Sequence, residues 1–287
     1  MFRRVLIALF LIPVVAALVW WGPPALLAAA ASVVTLLALH EFFGLGERLG
    51  LRAFKVWTMI CATGLFYAQW SSGIEQVSLF RGALPLARAA FLGTDPIVFV
   101  LLVFVFGCAG IGLATRRPLQ EVLPAISISA AGLLFIALPF TFVVRIHEIG
   151  GIGRQLTLFT LVLVWAGDIL AYFTGKTLGR FRMAPALSPK KTWEGALGNL
   201  VASLLVAFCF ARWMEMDTLN LLVIAALANM AGQMGDLIES AYKRGAAVKD
   251  SSALLPGHGG MLDRIDSLIL ACPVVWILYQ WLAIRNS

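Results

Sequence analysis

The chain has 287 residues, 61% of them hydrophobic and only 13% charged, with a formal net charge of +7. Soluble domains carry about 25% charged residues, so this composition excludes an ordinary soluble domain and points to a membrane protein. The basic excess does not argue for nucleic acid, because the Lys and Arg residues are scattered between apolar runs, where membrane topology and anionic lipid account for them.

In chain order, nine apolar runs approach or reach the ~20 residues that a helix needs to cross a bilayer: 5–21, 25–43, 56–72, 96–113, 123–144, 156–173, 196–214, 219–238 and 267–284. The expected fold is all-α, a polytopic bundle of about nine transmembrane helices, eight to ten depending on how the short first runs divide at Gly22-Pro23-Pro24. The opening MFRRVLIALFLIPVV has the basic start and apolar middle of a signal peptide. With so many spans behind it, an uncleaved first helix is expected. Segment 73–95 carries Glu75, Arg81, Arg88 and Asp95 and reads as an interfacial or looped stretch. No linker, low-complexity stretch or repeat divides the chain. Residues 1–287 therefore form one integral membrane domain, with the chemistry concentrated in 151–287 and residues 1–150 less informative. Cys61, Cys108, Cys209 and Cys272 are widely spaced within apolar runs and read as small buried hydrophobes.

Orientation follows from the basic residues. With the N-terminus in the cytoplasm, sixteen of the 22 Lys and Arg residues fall on inside segments, leaving six outside. Two long loops rich in polar residues, 174–195 and 239–266, then lie inside. The spans flanking them carry polar residues at helical spacing: Trp165, Asp168 and Tyr172 on the sixth, Asn199 and Ser203 on the seventh, and Asn229, Gln233, Asp236 and Ser240 on the eighth. Acids and amides are costly in lipid and face a bundle interior or a wet cavity. The alternative for each is interhelical hydrogen bonding without chemistry.

The densest polar stretch runs from Ser240 to Asp266, SAYKRGAAVKDSSALLPGHGGMLDRID. Asp263 and Asp266 open the ninth span at i, i+3, a spacing that suits a hard, oxygen-liking cation such as Mg²⁺. Taken alone, the pair reads equally well as acids favourable to a helix N-terminus. Pro256-Gly257-His258-Gly259-Gly260 predicts a tight turn whose backbone N–H groups can approach an anion. His258 is a candidate phosphate ligand or general acid, or a turn residue bonded to backbone. The other loop reads Ser188-Pro189-Lys190-Lys191-Thr192-Trp193-Glu194-Gly195, with two lysines placed for a polyphosphate or an anionic headgroup, or simply as a positive inside flank. Gly175-Lys176-Thr177 is not the end of a P-loop, since Leu170 stands where that motif needs glycine.

At these residues the chain resembles the bacterial CDP-diglyceride synthetases, or phosphatidate cytidylyltransferases. The signature runs from Ser240 through Lys243-Arg244, Lys249-Asp250, Ser252, Leu255-Pro256 and His258-Gly259-Gly260 to Asp263-Arg264-Ile265-Asp266. Tyr242 stands where an aliphatic residue is usual. The Ser188–Gly195 loop and Asp168 with Ala171-Tyr172 and Gly175 are also similar to the family. The resemblance implies transfer of a cytidylyl group from CTP to phosphatidic acid, giving CDP-diacylglycerol and pyrophosphate, with a divalent cation. It leaves open a second, monovalent cation and a homodimer. Catalysis is then expected of Asp263, Asp266, Lys249, Asp250 and His258. Metal binding is expected of Asp263, Asp266, Asp236 and Asp168. Substrate contact is expected of Lys190, Lys191, Thr192, Glu194, Lys243, Arg244, Ser240, Gly259, Gly260 and Arg264, with Arg264 alternatively locking Asp250 or Glu239. The nucleophile is an already ionised phosphate oxygen, so charge neutralisation and in-line positioning matter more than a strong base. The rival readings are a CTP-dependent polyprenol or phytol kinase, which would release CDP, and a transporter using Asp168 and Asp236 as an ion path.

Overall fold

The computed structural model describes residues 2–74, 95–252 and 259–286. Nine helices and one hairpin account for nearly all of them: α1 (Phe2–Trp21), α2 (Pro24–Arg48), α3 (Lys55–Ile74), α4 (Pro96–Ala114), α5 (Leu119–His147), α6 (Gly153–Thr177), β1 (Arg182–Ala184), β2 (Ser188–Thr192), α7 (Trp193–Met214), α8 (Thr218–Gly245) and α9 (Leu262–Asn286). Each of the nine expected spans falls within one of these helices. Seven of them, α2 and α4 to α9, are long and apolar enough to cross a membrane. In α1, Leu11–Trp21 continues the apolar run that begins at Val5, and α3 falls outside that set. Large apolar side chains stand exposed along these helices, Leu113, Leu119, Phe106 and Leu197 among them, as lipid-facing surface requires.

The helices extend beyond the apolar runs that predict them. α6 continues to Thr177 and α8 to Gly245, because their last turns are polar and can stand above the hydrocarbon. The expected loop 174–195 therefore contains a helix end and a short antiparallel hairpin, with Arg182 opposite Thr192 and Ala184 opposite Ser188. Most of segment 73–95 lies outside the described residues; Asp95 is the N-cap of α4, its Oδ1 accepting from Ile97 N at 2.9 Å and Val98 N at 3.3 Å. The four cysteines are free, and Cys61, Cys108 and Cys272 are buried as expected. Cys209 is exposed on α7 instead, since the apolar run around it faces outward.

α5 is not a regular helix. Leu133–Ala137 forms a π-helical turn just before Pro139, whose missing N–H interrupts the α-helical ladder. Thr141 closes the irregularity by donating from Oγ1 to Leu138 O at 2.6 Å and accepting from Gln69 Nε2 of α3 at 3.0 Å.

Glycines set the closest helix approaches. A methyl group at Gly167 or Gly198 would run into Asn199 or Thr174, so α6 and α7 are in near-backbone contact. A Cβ at Gly235 would lie 2.4 Å from the backbone oxygen of Asp266, which fixes α8 against the start of α9. Small residues at helix crossings of this kind are the usual device for close packing in membranes.

Candidate active site

The end of α6, the β1–β2 hairpin, the start of α7, the end of α8 and the start of α9 meet at one end of the bundle. Thr192 caps α7, its Oγ1 accepting from Gly195 N at 3.1 Å. Glu194 turns back to the hairpin and accepts from Phe181 N at 3.2 Å. Arg244, at the end of α8, donates from Nε to Leu187 O at 3.0 Å and from Nη1 to Val248 O at 3.1 Å. Two residues expected to touch substrate thus hold the hairpin in place, with Arg244 clasping its turn.

A cavity of about 260 Å³ opens between these elements, lined among others by Asp168, Tyr172, Lys190, Lys191, Thr192, Asn199, Gln233 and Asp236. Lys191 Nζ pairs with Asp236 Oδ2 at 2.6 Å across it. Below the pair runs a ladder of amides. Asn199 Nδ2 donates to Asp168 Oδ1 at 3.4 Å, Asn229 Nδ2 donates to Asn199 Oδ1 and to Ser203 Oγ at 2.7 Å, and Gln233 Nε2 donates to Asn229 Oδ1 at 2.6 Å. Asp168 of the sixth span, Asn199 and Ser203 of the seventh, and Asn229 and Gln233 of the eighth are therefore one network. It joins three helices, and its Asp168 end opens into the cavity.

Beside the cavity lies an acidic cluster. Asp236 and Glu239 of α8 and Asp266 of α9 can each offer an oxygen within 4.8 Å of the others. Asp236 thus belongs both to the cluster and to the cavity wall. On the far side of the cluster, Glu239 and Asp266 line a narrow apolar crevice of about 30 Å³, with Phe135 and Ile136 of the π turn, Gly235, Ile238 and Tyr242. Lys243 separates the cluster from Asp263, pairing with Glu239 and with Asp263 Oδ1, the latter at 2.5 Å.

Asp263 is engaged elsewhere. Its Oδ2 accepts from Gly260 N at 2.7 Å, Ser251 Oγ at 2.8 Å and Ser251 N at 3.1 Å. The i, i+3 pair of α9 is therefore split: Asp266 faces the other acids, and Asp263 ties down the preceding loop. Gly259 has φ +79°, a left-handed conformation that favours glycine, and a Cβ there would lie 2.7 Å from Asp263 Oδ2. Ser240 is buried on α8, while Lys249, Asp250 and Arg264 are exposed. His258 lies outside the described residues.

Two acids were not expected in these roles. Glu239 was considered only as a partner for Arg264, although its spacing of three from Asp236 puts both on one helical face. Glu41 of α2 reaches the start of α9; the signal that could have found it is a carboxylate inside the apolar LLALHEFFGL.

Comparison with known proteins gives the family. Residues 2–282 match the Cytidylyltransferase family. The chain belongs to that family. Among curated relatives, the phosphatidate cytidylyltransferase of Haemophilus influenzae is 41% identical over 133 residues, 44% of this chain and 46% of the relative. That of Bacillus subtilis is 38% identical over 147 residues, 50% and 55% of the two chains. That of Staphylococcus saprophyticus is 40% identical over 135 residues, 46% and 52%. The chain spans about half the length of the curated relatives it matches.

Proposed function

We propose that this protein transfers the cytidylyl group of CTP to phosphatidic acid, releasing pyrophosphate and leaving CDP-diacylglycerol in the membrane. The observation that carries the reading is the juxtaposition, in a chain of this family, of a lysine-bearing polar cavity with the Asp236–Glu239–Asp266 cluster. The cavity suits a triphosphate: Lys190 and Lys191 come from the hairpin side, and Thr192 and Gly195 open α7 there. The apolar crevice suits approach of the lipid from the bilayer, so that the two phosphates meet at the cluster between them.

The donor set of the cluster is all carboxylate oxygen, which fits Mg²⁺ and suits softer metals less well. Asp236, Glu239 and Asp266 would hold it, with Asp168 nearby on the cavity wall. Once bound, Mg²⁺ would neutralise phosphate charge and polarise the centre under attack. This assignment puts Glu239 where the sequence suggested Asp263. The chain's own groups do the remaining work. Lys191 leaves Asp236 for the incoming phosphates, Lys190 adds a second cation, and Lys243 holds the Glu239 and Asp263 carboxylates apart. Since the attacking phosphate oxygen is already ionised, no residue needs to take a proton from it. We place the site on the cytoplasmic face of a bacterial inner membrane, in agreement with the basic-residue bias and the bacterial relatives.

The test is incubation of purified protein with CTP, phosphatidic acid and Mg²⁺ in detergent, following both products of CTP. Pyrophosphate and CDP-lipid in equal amounts are expected. CDP in place of pyrophosphate, with a phosphorylated alcohol formed when a polyprenol or phytol is supplied in a parallel incubation, would establish the kinase reading instead.

A further inference from the structure

Glu41 lies in the middle of the apolar sequence LLALHEFFGL of α2 and is only 4% exposed. A carboxylate so buried must find partners within the protein. Its partners all belong to a segment more than two hundred residues away. Oε1 accepts from Ser252 Oγ at 2.6 Å and Met261 N at 2.9 Å; Oε2 accepts from Leu262 N at 2.8 Å and Ser251 Oγ at 2.9 Å. The Ser251 hydroxyl also faces Asp263 Oδ2 at 2.8 Å, so its one proton serves either acid in turn. Gly260 makes room for the contact: a Cβ there would lie 2.0 Å from Ser251 Oγ and 2.3 Å from Glu41 Oε2.

We propose that Glu41 is a positioning residue that caps α9 and joins it to Ser251 and Ser252, thereby setting the depth and rotation at which Asp266 meets Asp236 and Glu239. Two of the N–H groups that open α9 have no partner within the helix, and Glu41 satisfies both with one carboxylate that also favours the positive end of the helix dipole. Asp266 begins the next turn of α9, so a shift of the helix start moves it directly. Removing Glu41 therefore weakens the cation site without removing any of its acids. The inference rests on the functional reading above, in which those acids bind a divalent cation.

The critical variant is Glu41→Gln. It keeps shape and volume, but its NH₂ must point at one of the two backbone N–H groups whichever way the amide turns. Mn²⁺ binding to full-length protein in detergent, read by electron paramagnetic resonance, is expected to weaken about tenfold, as for other groups that orient metal ligands. CDP-lipid synthesis should fall at low Mg²⁺ and recover in part as Mg²⁺ is raised. Mn²⁺ affinity within twofold of wild type, alongside a lowered melting temperature, would make Glu41 merely structural and overturn the proposal. Should Glu41→Gln not fold, Ser252→Ala removes one donor and leaves the carboxylate; about threefold weaker Mn²⁺ binding supports the clamp, and unchanged binding overturns it. Wild-type protein that binds Mn²⁺ but makes no CDP-lipid would overturn the functional reading alone, with the clamp still decided by the Mn²⁺ titrations. No Mn²⁺ binding by wild type would overturn both.

Discussion

Lys191 Nζ sits 2.6 Å from Asp236 Oδ2, joining the hairpin to α8 across the mouth of the cavity. The two side chains are 26% and 33% exposed, and a pair that wet contributes little to stability. Its importance lies in placement, since Lys191 belongs to the cavity proposed for phosphate and Asp236 to both that cavity and the acidic cluster. Replacing Lys191 by Met should lower kcat/KM for CTP about 100-fold, the scale for losing one charge-stabilising donor. The Mg²⁺ concentration for half-maximal activity should not rise, because Asp236 loses a competitor. A CTP and Mg²⁺ titration matrix separates the two effects, and a raised Mg²⁺ requirement would contradict the assigned roles.

The split of Asp263 from Asp266 makes a second prediction. Asp266→Asn should reduce CDP-lipid synthesis at least about 100-fold and weaken Mn²⁺ binding, while leaving the Ser251–Gly260 contacts of Asp263 intact. Asp263→Asn places an amide against Lys243 or against the Gly260 N–H, so it should lower the melting temperature as well as activity. For wild type, EDTA should abolish activity and Mg²⁺ restore it. Equal Mn²⁺ affinity in Asp266→Asn and wild type would remove Asp266 from the metal site.

The legible part of this architecture is the part written locally. Lys190-Lys191, Asp168, Asp236 and Asp266 are recognisable from helical spacing and from motif, and each stands at the cavity or in the cluster. Hydropathy locates the helices but cannot see their polar last turns, so α6 and α8 run to Thr177 and Gly245 rather than stopping with their apolar runs. Asp263 stands apart from the cluster for a physical reason: i, i+3 spacing places two carboxylates on one face, but Lys243 enters between Glu239 and Asp263 and pairs with both. Glu41 stands out as an acid in an apolar run, but its role was out of reach because its partners are at 251–262. Only the packing of α2 against the start of α9 brings them together.

Gly235 is the point where α8 rests on the backbone of Asp266. Gly235→Ala puts a methyl 2.4 Å from a carbonyl oxygen that cannot swing aside. The helices must separate, at a cost of about 1–3 kcal/mol for an overpacked contact. Melting temperature in detergent should fall, and activity should fall further than stability alone explains because Asp236 and Asp266 part. Gly44, where an added Cβ meets nothing within 4 Å, is the control, and Gly44→Ala should match wild type in both measurements.

The proposed orientation can be tested by labelling. Arg182 lies on the hairpin and Arg154 in the first turn of α6, and both are exposed. In a protein lacking its native cysteines, Arg154→Cys should react with a membrane-impermeant maleimide in intact cells with a permeable outer layer. Arg182→Cys should react only after the inner membrane is opened. The reverse pattern would put the cavity on the wrong side for cytosolic CTP.

At the opposite end of the bundle from the cavity, Glu148 follows α5, and its Oε2 is buried with no hydrogen-bond partner. Desolvation pushes its pKa up to about 8, against a partial opposing effect of Arg145. A carboxyl with a raised folded-state pKa binds its proton in the folded protein at pH values where the unfolded chain has released it. Its contribution to stability is therefore complete below the unfolded value of 4.5 and is lost as pH rises through about 8. Wild-type protein in detergent should accordingly melt at progressively lower temperature from pH 5 to pH 8.5. Glu148→Gln, which fixes the neutral form, should flatten that part of the profile and exceed wild type in melting temperature at pH 8.5. Parallel profiles for the two proteins would mean that Glu148 is already ionised in the fold.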